Sequence, residues 1–438
     1  MDLVHQANAL RREGRLDQAL AVCLEALRET PTDVDAWHLA GRTALDLRRF
    51  PLAALYFQAA LQLDPQRVET ANGLWYAHFQ LGNYARAAEA CRRSWELDPT
   101  DAYVAAMLGH FEYVLGNPEA GRRMHLRALE LDPDTRLVST ALLRLLRREE
   151  GGWKWFDPGA PALRARSHAE RWTPPADRVW RGEAVPGRTV CVYRGGGQGD
   201  LILLCRYVPL VARRAGRVLL VCEPLHDRLL ASLDGLSGVV RSPAEVDDAL
   251  YVHLWALPGI FAGSSLRPPD PPYLRPPARG PGLPDSAGVR VGLGWAGNPN
   301  TAVNPDRSVP SLRLLDPWFD VPSIQWVSLQ VGYRSEEAPT PDILVRPQLN
   351  DFGDTARVLS QLDLVITVDT AVANLAGALG VRAWVLPPTY PEFRWGLEGD
   401  GTPWYPSVRL FRRRRTDDWE GVIERVAEAL RCLTSGHR

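Results

Sequence analysis

Apolar residues in the first third of the chain recur with helical spacing, and the pattern repeats every 34 residues. Small residues mark one position of the repeat: Ala19, Ala53, Ala87 and Gly121. Proline marks another: Pro31, Pro65, Pro99 and Pro133. Because proline cannot continue a helical hydrogen-bond ladder, each one indicates the end of a helix. Turns within the helix pairs are predicted at Gly14, Arg48, Gly82 and Gly116.

This pattern resembles tetratricopeptide repeats over about residues 1–135, with the helical segment 141–150 closing a domain that spans 1–150. The resemblance implies a stack of helix pairs with a concave face that binds a protein or peptide. The sequence leaves a second possibility open, in which the repeats only brace the neighbouring domain.

Beyond residue 188, short apolar runs rich in β-branched residues alternate with helical patterns, which predicts an α/β fold with parallel sheets. The segment 151–187 is a linker rich in Gly, Pro and Trp. A second linker, 264–288, is rich in proline. Predicted strands lie at 188–193, 217–222, 249–255, 289–295, 324–330, 364–368 and 382–387, and helices at 201–216, 351–362, 371–379 and 418–433.

The clearest of these patterns is an apolar strand, 364–368, followed by Asp369 and Thr370 and then by a helix, 371–379. Thr370 is placed to cap this helix, and Gly380 to end it. The amino end of a helix presents free N–H groups and a partial positive charge. The sequence therefore predicts an anion site at the carboxyl end of this strand.

A glycine-rich loop, 194–201, follows the first predicted strand and precedes a helix in which Pro209 predicts a kink. Its spacing matches neither the dinucleotide nor the P-loop fingerprint. Asp200 at the helix start is either a cap or a catalytic base, and the residues leave both open. His253 is more simply explained as a packed residue than as a catalyst.

Composition sets the remaining limits. The chain has 438 residues, a net charge of -1 and six scattered cysteines, which suggests no nucleic-acid partner, disulfide framework or zinc site. No run of 18 apolar residues predicts a transmembrane segment, and we expect a cytoplasmic protein. Lys154 is the only lysine, so arginine must supply any cation at a phosphate.

Several motifs together resemble those of bacterial tetratricopeptide-repeat glycosyltransferases, which are related to the ADP-heptose:lipopolysaccharide heptosyltransferases. They are GGGQGDLILLCRY, LGWAGNP…DRSVP, VSLQ, LDLVITVDTAVANLAGALG and FRWGLEGDGTPWYPSVRLFR, in order within about 185–430. The resemblance implies a GT-B fold: an acceptor half at 188–263 and a donor half at 289–433. It also implies inverting, metal-independent transfer, with no cofactor besides the nucleotide-diphosphate sugar.

The same resemblance implies roles for individual residues. Asp200 matches the general base and Asp369 the residue that contacts donor-sugar hydroxyls. The remaining donor-side residues are Thr370, Ala371, Asn374, Asn298, Arg307 and Arg394, and the loop on the acceptor side contributes Gly196, Gly197, Gln198 and Gly199. Relatives usually have histidine where this chain has Asn374.

These observations lead to one main hypothesis: a glycosyltransferase that moves a sugar to a protein, glycan or lipid-linked acceptor hydroxyl, with the repeats recruiting the acceptor or a partner. The alternative is a non-catalytic repeat scaffold whose transferase domain has degenerated, which Asn374 and the glycine-filled loop motivate. A nucleotide-dependent oxidoreductase is a remote third, because no dinucleotide fingerprint is present.

Overall fold

The computed structural model describes residues 2–132, 172, 174–262, 269–298, 307–337, 343–389, 391–396, 398–413 and 419–435. The chain divides into two compact units, Met1–Ala141 and Leu142–Arg438. The predicted helix at 141–150 and most of the linker 151–187 lie outside the described residues. Among the described residues, no helix combines the length and apolar character needed to cross a bilayer.

The described part of the first unit consists of paired helices. They are α1 (Leu3–Arg12), α2 (Leu16–Glu29), α3 (Val34–Asp46), α4 (Phe50–Leu63), α5 (Val68–Gln80), α6 (Tyr84–Leu97), α7 (Ala102–Val114) and α8 (Pro118–Leu131). Pro31, Pro65 and Pro99 each stand two residues beyond a helix end, as predicted.

The turns within the pairs confirm the predicted role of the glycines. Gly14, Gly82 and Gly116 have φ of 78°, 72° and 83°, and Arg48 takes the same left-handed conformation at 57°. Close packing explains two further glycines, because a Cβ atom at Gly41 or Gly73 would lie 2.7 or 2.4 Å from the ring of Phe57.

The second unit is an α/β structure with two sheets, in which every described strand pair is parallel. The first sheet has β1 (Val185–Tyr193), β2 (Ala215–Val221), β3 (Gly238–Val240) and β4 (Ala249–His253) in the order β3-β2-β1-β4. The second has β5 (Val289–Gly294), β6 (Ile324–Ser328), β7 (Leu344–Val345), β8 (Leu364–Val368), β9 (Ala383–Leu386) and β10 (Val408–Leu410) in the order β10-β9-β8-β5-β6-β7.

The described helices of this unit lie between the strands, except for the last one, which follows β10. They are α9 (Gln198–Leu204), α10 (Val208–Ala212), α11 (Asp227–Leu230), α12 (Leu257–Ala262), α13 (Asp316–Phe319), α14 (Phe352–Leu359), α15 (Ala371–Leu379) and α16 (Trp419–Ser435). The core of the second half joins β5, β6 and β8 to α16, and Nε1 of the buried Trp318 donates to Ile423 O at 2.8 Å.

Two predicted elements need correction. The strand predicted at 249–255 ends at His253, because Leu254–Ala256 turn into a 3-10 helix. The helix predicted from 201 to 216 is interrupted at Cys205–Tyr207, ahead of Pro209, which occupies the first turn of α10 where no N–H is required. The last part of that predicted helix, Ala215 onward, already belongs to β2.

The described part of the proline-rich segment, 269–288, contains neither helix nor strand, as predicted. It is nevertheless bonded to both halves of the α/β unit. The N–H of Tyr273 donates to Ala378 O at 3.1 Å, and that of Arg275 donates to Ser232 Oγ at 3.0 Å. It is therefore a strap across the two halves and not a free linker.

Candidate functional site

Each sheet reverses its strand order at one place, which is where open α/β sheets bind ligands. In the first sheet the reversal lies between β1 and β4, and in the second between β5 and β8. The glycine-rich loop and Asp200 follow β1, whereas Asp369 and Thr370 follow β8. The strongest sequence motifs therefore stand at the two expected ligand edges.

The two edges face each other through α9 and α15. A Cβ atom added at Gly199 would lie 2.8 Å from Nδ2 of Asn374 and 3.6 Å from Cα of Ala371. Only glycine allows the two helices to approach this closely at their amino ends.

Asp200 is the third residue of α9, and Gly197 holds the capping position that Asp200 was considered for. Its Oδ2 nevertheless accepts from the Gly197 N–H at 3.0 Å, so the carboxylate satisfies a helix-end donor as an N-cap would. Gly196 has φ of +106°, and a Cβ there would lie 2.6 Å from this oxygen. The glycines thus let the loop fold against the carboxylate.

The other oxygen of Asp200 is bonded to the opposite half of the unit. Nη2 of Arg394 donates to Oδ1 at 2.5 Å, and Arg394 is 5% exposed. Burial disfavours the charge of Arg394, but Asp200, Asp369 and Glu392 more than offset this, so its pKa lies above the ordinary value. Arg394 is therefore a permanent buried cation.

Asn374 holds the same guanidinium from the other side. Its Oδ1 accepts from Arg394 Nη1 at 3.0 Å and from the Tyr405 hydroxyl at 3.1 Å. Its Nδ2 donates to Thr370 O at 3.0 Å. Because an amide both accepts and donates, Asn374 is matched to this position, which a charged histidine beside Arg394 would not be.

Asp369 and Arg307 form the second ion pair of the site, with Arg307 Nη2 at 3.6 Å from Asp369 Oδ2. Asp369 is 4% exposed, and its Oδ2 receives no hydrogen bond from the described residues. A buried carboxylate oxygen that accepts no hydrogen bond suits a ligand whose hydroxyl groups donate hydrogen bonds.

Thr370 occupies the N-cap position of α15 as predicted, but its side chain makes no capping bond. Its hydroxyl lies 3.3 Å from Oγ1 of Thr367 instead. The first-turn N–H groups of α15 thus donate no bond to the Thr370 side chain. Asn298 is exposed and is the last described position before the gap at 299–306, in which Asn304 and Asp306 lie.

The structure adds two residues, Arg194 and Glu223, that the sequence did not point to; both contact Gln198, which it did. Gln198 donates from Nε2 to Glu223 Oε2 at 2.5 Å, and Arg194 donates to both Glu223 and Gln198. Arg194 directly follows β1 and Glu223 lies two residues after β2, so their position at strand ends was a usable signal.

Arg412 is another such residue, although it begins a run of four arginines, a pattern typical of a solvated face. Arg412 is half-buried and donates to the carbonyls of Trp395, Gly396, Glu398 and Gly399. Burial lowers the pKa of Arg412, and the nearby Asp400 and Glu398 only partly offset this. Arg412 therefore fixes the loop that carries Arg394.

His253 is fully buried, and its Nδ1 accepts from the Trp255 N–H at 3.2 Å. This is the packed role that the sequence favoured. Among the described residues, no cluster of three or more His, Cys, Asp or Glu side chains is arranged to hold a metal ion.

A cavity of about 210 Å³ opens at the carboxyl ends of β6 and β7, on the ligand edge of the second sheet. Its lining includes Ser328, Gln330, Val331 and Arg346. Val331 is 60% exposed, which provides an apolar surface beside these polar groups.

Comparisons with known proteins identify the type of helical repeat in the first unit. Sequence models described as tetratricopeptide repeat match residues 3–43 and 38–102. The N-terminal helices are tetratricopeptide repeats. Together these matches cover less than a quarter of the chain, and they do not extend to the α/β unit.

The chain is also similar to Protein FlbA of Caulobacter vibrioides, with 26% identity over 467 aligned positions that cover 97% of this chain and 72% of the relative. Among solved structures, a crystal structure of MamA matches at 19% identity, 36% of this chain, 93% of the other and a TM-score of 0.34. A MamA fragment from Desulfovibrio magneticus RS-1 matches at 18% identity, covering 36% of this chain and 92% of the fragment, with a TM-score of 0.34. The low TM-scores carry no conclusion about the fold.

Proposed function

We propose that the α/β unit is a glycosyltransferase of the GT-B type, which takes a sugar from a nucleotide-diphosphate donor and transfers it to an acceptor hydroxyl. One observation carries this proposal. The ligand edges of the two sheets face each other, with Asp200 on one side and Arg394, Arg307 and the amino end of α15 on the other.

The donor side suits a diphosphate. Two arginines and a helix amino end that Thr370 leaves without a side-chain cap all favour an anion. Asp369 would repel phosphate but accept hydrogen bonds from sugar hydroxyls. The cavity at the ends of β6 and β7 lies on the same sheet edge and would take the nucleoside.

The proposed reaction is an inverting displacement. Asp200 takes the proton of the acceptor hydroxyl, whose oxygen attacks C1 of the sugar. The bond between C1 and the phosphate oxygen breaks, and the nucleoside diphosphate leaves with the electron pair. Arg394 and Arg307 stabilise the developing negative charge, which is the role that a metal ion plays in other transferases.

The tetratricopeptide repeats would recruit a protein partner or the acceptor. This part of the proposal rests on the repeats alone, because stacked helix pairs usually present a surface for protein or peptide binding.

Replacing Asp200 with asparagine tests the base. Incubation with a panel of nucleotide sugars should release nucleoside diphosphate, with water as a slow acceptor. We expect Asp200→Asn to reduce this release by about 100-fold or more, since general-base catalysis contributes that much. Asp248→Asn is the matched control, because Asp248 has an 89% exposed side chain in the same half. Equal release by wild type and Asp200→Asn would remove Asp200 as the base.

The second candidate is a non-catalytic scaffold, and the close contact of Gly199 with Asn374 and Ala371 favours it. In that case the interface between the halves is permanently closed. Release of nucleoside diphosphate from any nucleotide sugar, lost in Asp200→Asn, excludes the scaffold. Absence of release from the whole panel supports it.

A further inference from the structure

Asp200 and Arg394 are already bonded to each other in this structure. Both carboxylate oxygens are engaged, one by Arg394 Nη2 and the other by the Gly197 N–H. An acceptor hydroxyl must therefore share an oxygen that already accepts another hydrogen bond. Conversely, a diphosphate finds the guanidinium already bonded to an anion.

The same contact covers the donor side. Gly199 sits against Ala371 and Asn374 in the first turn of α15, and Asn374 is 1% exposed. A diphosphate at this helix end needs the amino end of α9 to move away. The ion pair and the helix contact thus close one interface together.

We propose that the Asp200 carboxylate is a resident anion in the diphosphate site, and that donor binding displaces it and so releases the base. This inference rests on the proposed function and adds an order to it, because the donor must bind before the acceptor is activated. The exchange balances charge, since Arg394 trades one anionic partner for another.

The contacts of Arg394 show which bond breaks. Asn374, Tyr405 and the loop fixed by Arg412 all belong to the second half and remain with Arg394. On the first half, Arg206 lies beyond the other end of α9 and donates to Trp404 O at 3.1 Å. The amino end of α9 can therefore separate from α15 while the Arg206 contact acts as the pivot.

Two variants of the full-length protein test this exchange. Asp200→Asn removes the charge of the resident anion, whereas Gly199→Ala keeps Asp200 and forces the helices apart. Asp234→Asn is the matched control, because Asp234 is 71% exposed and pairs with Arg275 away from this contact. Thermal melting of each variant verifies that the fold is retained.

The first measurement is hydrogen–deuterium exchange of peptides spanning 365–380 without ligand. We expect exchange to be about tenfold faster in Asp200→Asn and in Gly199→Ala, as expected for loss of a charged hydrogen bond or its equivalent. The control should match wild type. Equal exchange in all four proteins would overturn the proposal.

The second measurement is calorimetric titration with UDP, ADP and GDP. We expect both variants to bind one of these nucleotides about tenfold more tightly than wild type does. Asp200→Asn has no resident anion to displace, and in Gly199→Ala the close contact between the helices is already broken. Unchanged or weaker binding in both would overturn the exchange while leaving the donor site intact. Faster exchange of 365–380 without nucleotide binding to any protein would instead refute the proposed function, and with it the displacement by donor.

Discussion

At the scale of single residues, arginine supplies the polar framework of the α/β unit. Arg394 binds a carboxylate and an amide, and Arg412 binds backbone carbonyls. Arg206 combines Trp404 O with the ring of Tyr273, 4.4 Å from its guanidinium carbon. Each arrangement uses a planar group with several fixed donors, which a lysine does not offer.

Arg412→Lys should therefore weaken nucleotide binding, although Arg412 is not one of the residues proposed to contact the nucleotide. Losing several carbonyl bonds releases the loop that carries Arg394, and we expect about a tenfold rise in Kd for the nucleoside diphosphate. Titration calorimetry measures this change. Arg409→Lys is the control, because Arg409 is largely exposed and stacks on Phe411. Equal affinity of wild type and Arg412→Lys would show that the loop is held by other contacts.

The sequence pointed to Asp200 and Arg394 as separate site residues but did not predict their ion pair. The two residues are 194 positions apart, so only the packing of one half against the other brings them together. Asn374 illustrates the same limit. In the sequence it was a departure from the histidine of relatives, whereas the structure shows an acceptor for Arg394 and Tyr405.

At the scale of elements, the strength of the local pattern decided what could be predicted. β8 and α15 have the predicted bounds, because a β-branched run, a cap position and Gly380 with φ of 73° agree. β3, β7 and β10 have only two or three residues, too few for a hydrophobic pattern. Their place in the sheets depends on neighbouring strands.

The contact between the segment after β2 and α14 makes stability depend on pH. His226 is fully buried and stacks on Phe352 with ring centres 4.8 Å apart. Burial lowers the pKa of His226 to about 4. The unfolded chain, with a histidine pKa near 6.5, takes up a proton at higher pH than the folded one. The stabilisation is therefore complete above about pH 6.5 and is lost as pH falls towards 4.

His226→Phe keeps the ring against Phe352 and removes the titration. Between pH 7 and pH 5 we expect the unfolding free energy of wild type to fall by about 2 kcal/mol more than that of His226→Phe. Urea unfolding of the full chain measures the difference, with hydrogen–deuterium exchange of peptides from α14 as the probe for the α/β unit. The other shifted histidines titrate in both proteins and cancel. A difference below about 0.5 kcal/mol would contradict this prediction.

At the scale of the whole molecule, a helical repeat unit is joined in one chain to an α/β unit with two parallel sheets. Within the α/β unit, Arg394, Arg206 and Arg228 each bond one half to the other, and Arg228 contacts both Asp351 and Asp354. The periodicity of 34 residues and the alternation of strands and helices were sufficient to predict this division into an all-α and an α/β part. The ligand edges of the sheets, in contrast, follow from strand order, which no local pattern contains.

The central claim is that a nucleoside diphosphate binds where these two ligand edges meet, and calorimetric titration with UDP, ADP and GDP tests it most directly. We expect one of them to bind with a Kd of about 10–100 µM, or roughly −5.5 to −7 kcal/mol. Arg307→Gln should weaken that binding about tenfold by removing a charge-assisted bond to phosphate, whereas Arg313→Gln, at an exposed position nearby, should not. The account is contradicted if none of the three nucleotides binds, or if Arg307→Gln binds as tightly as wild type.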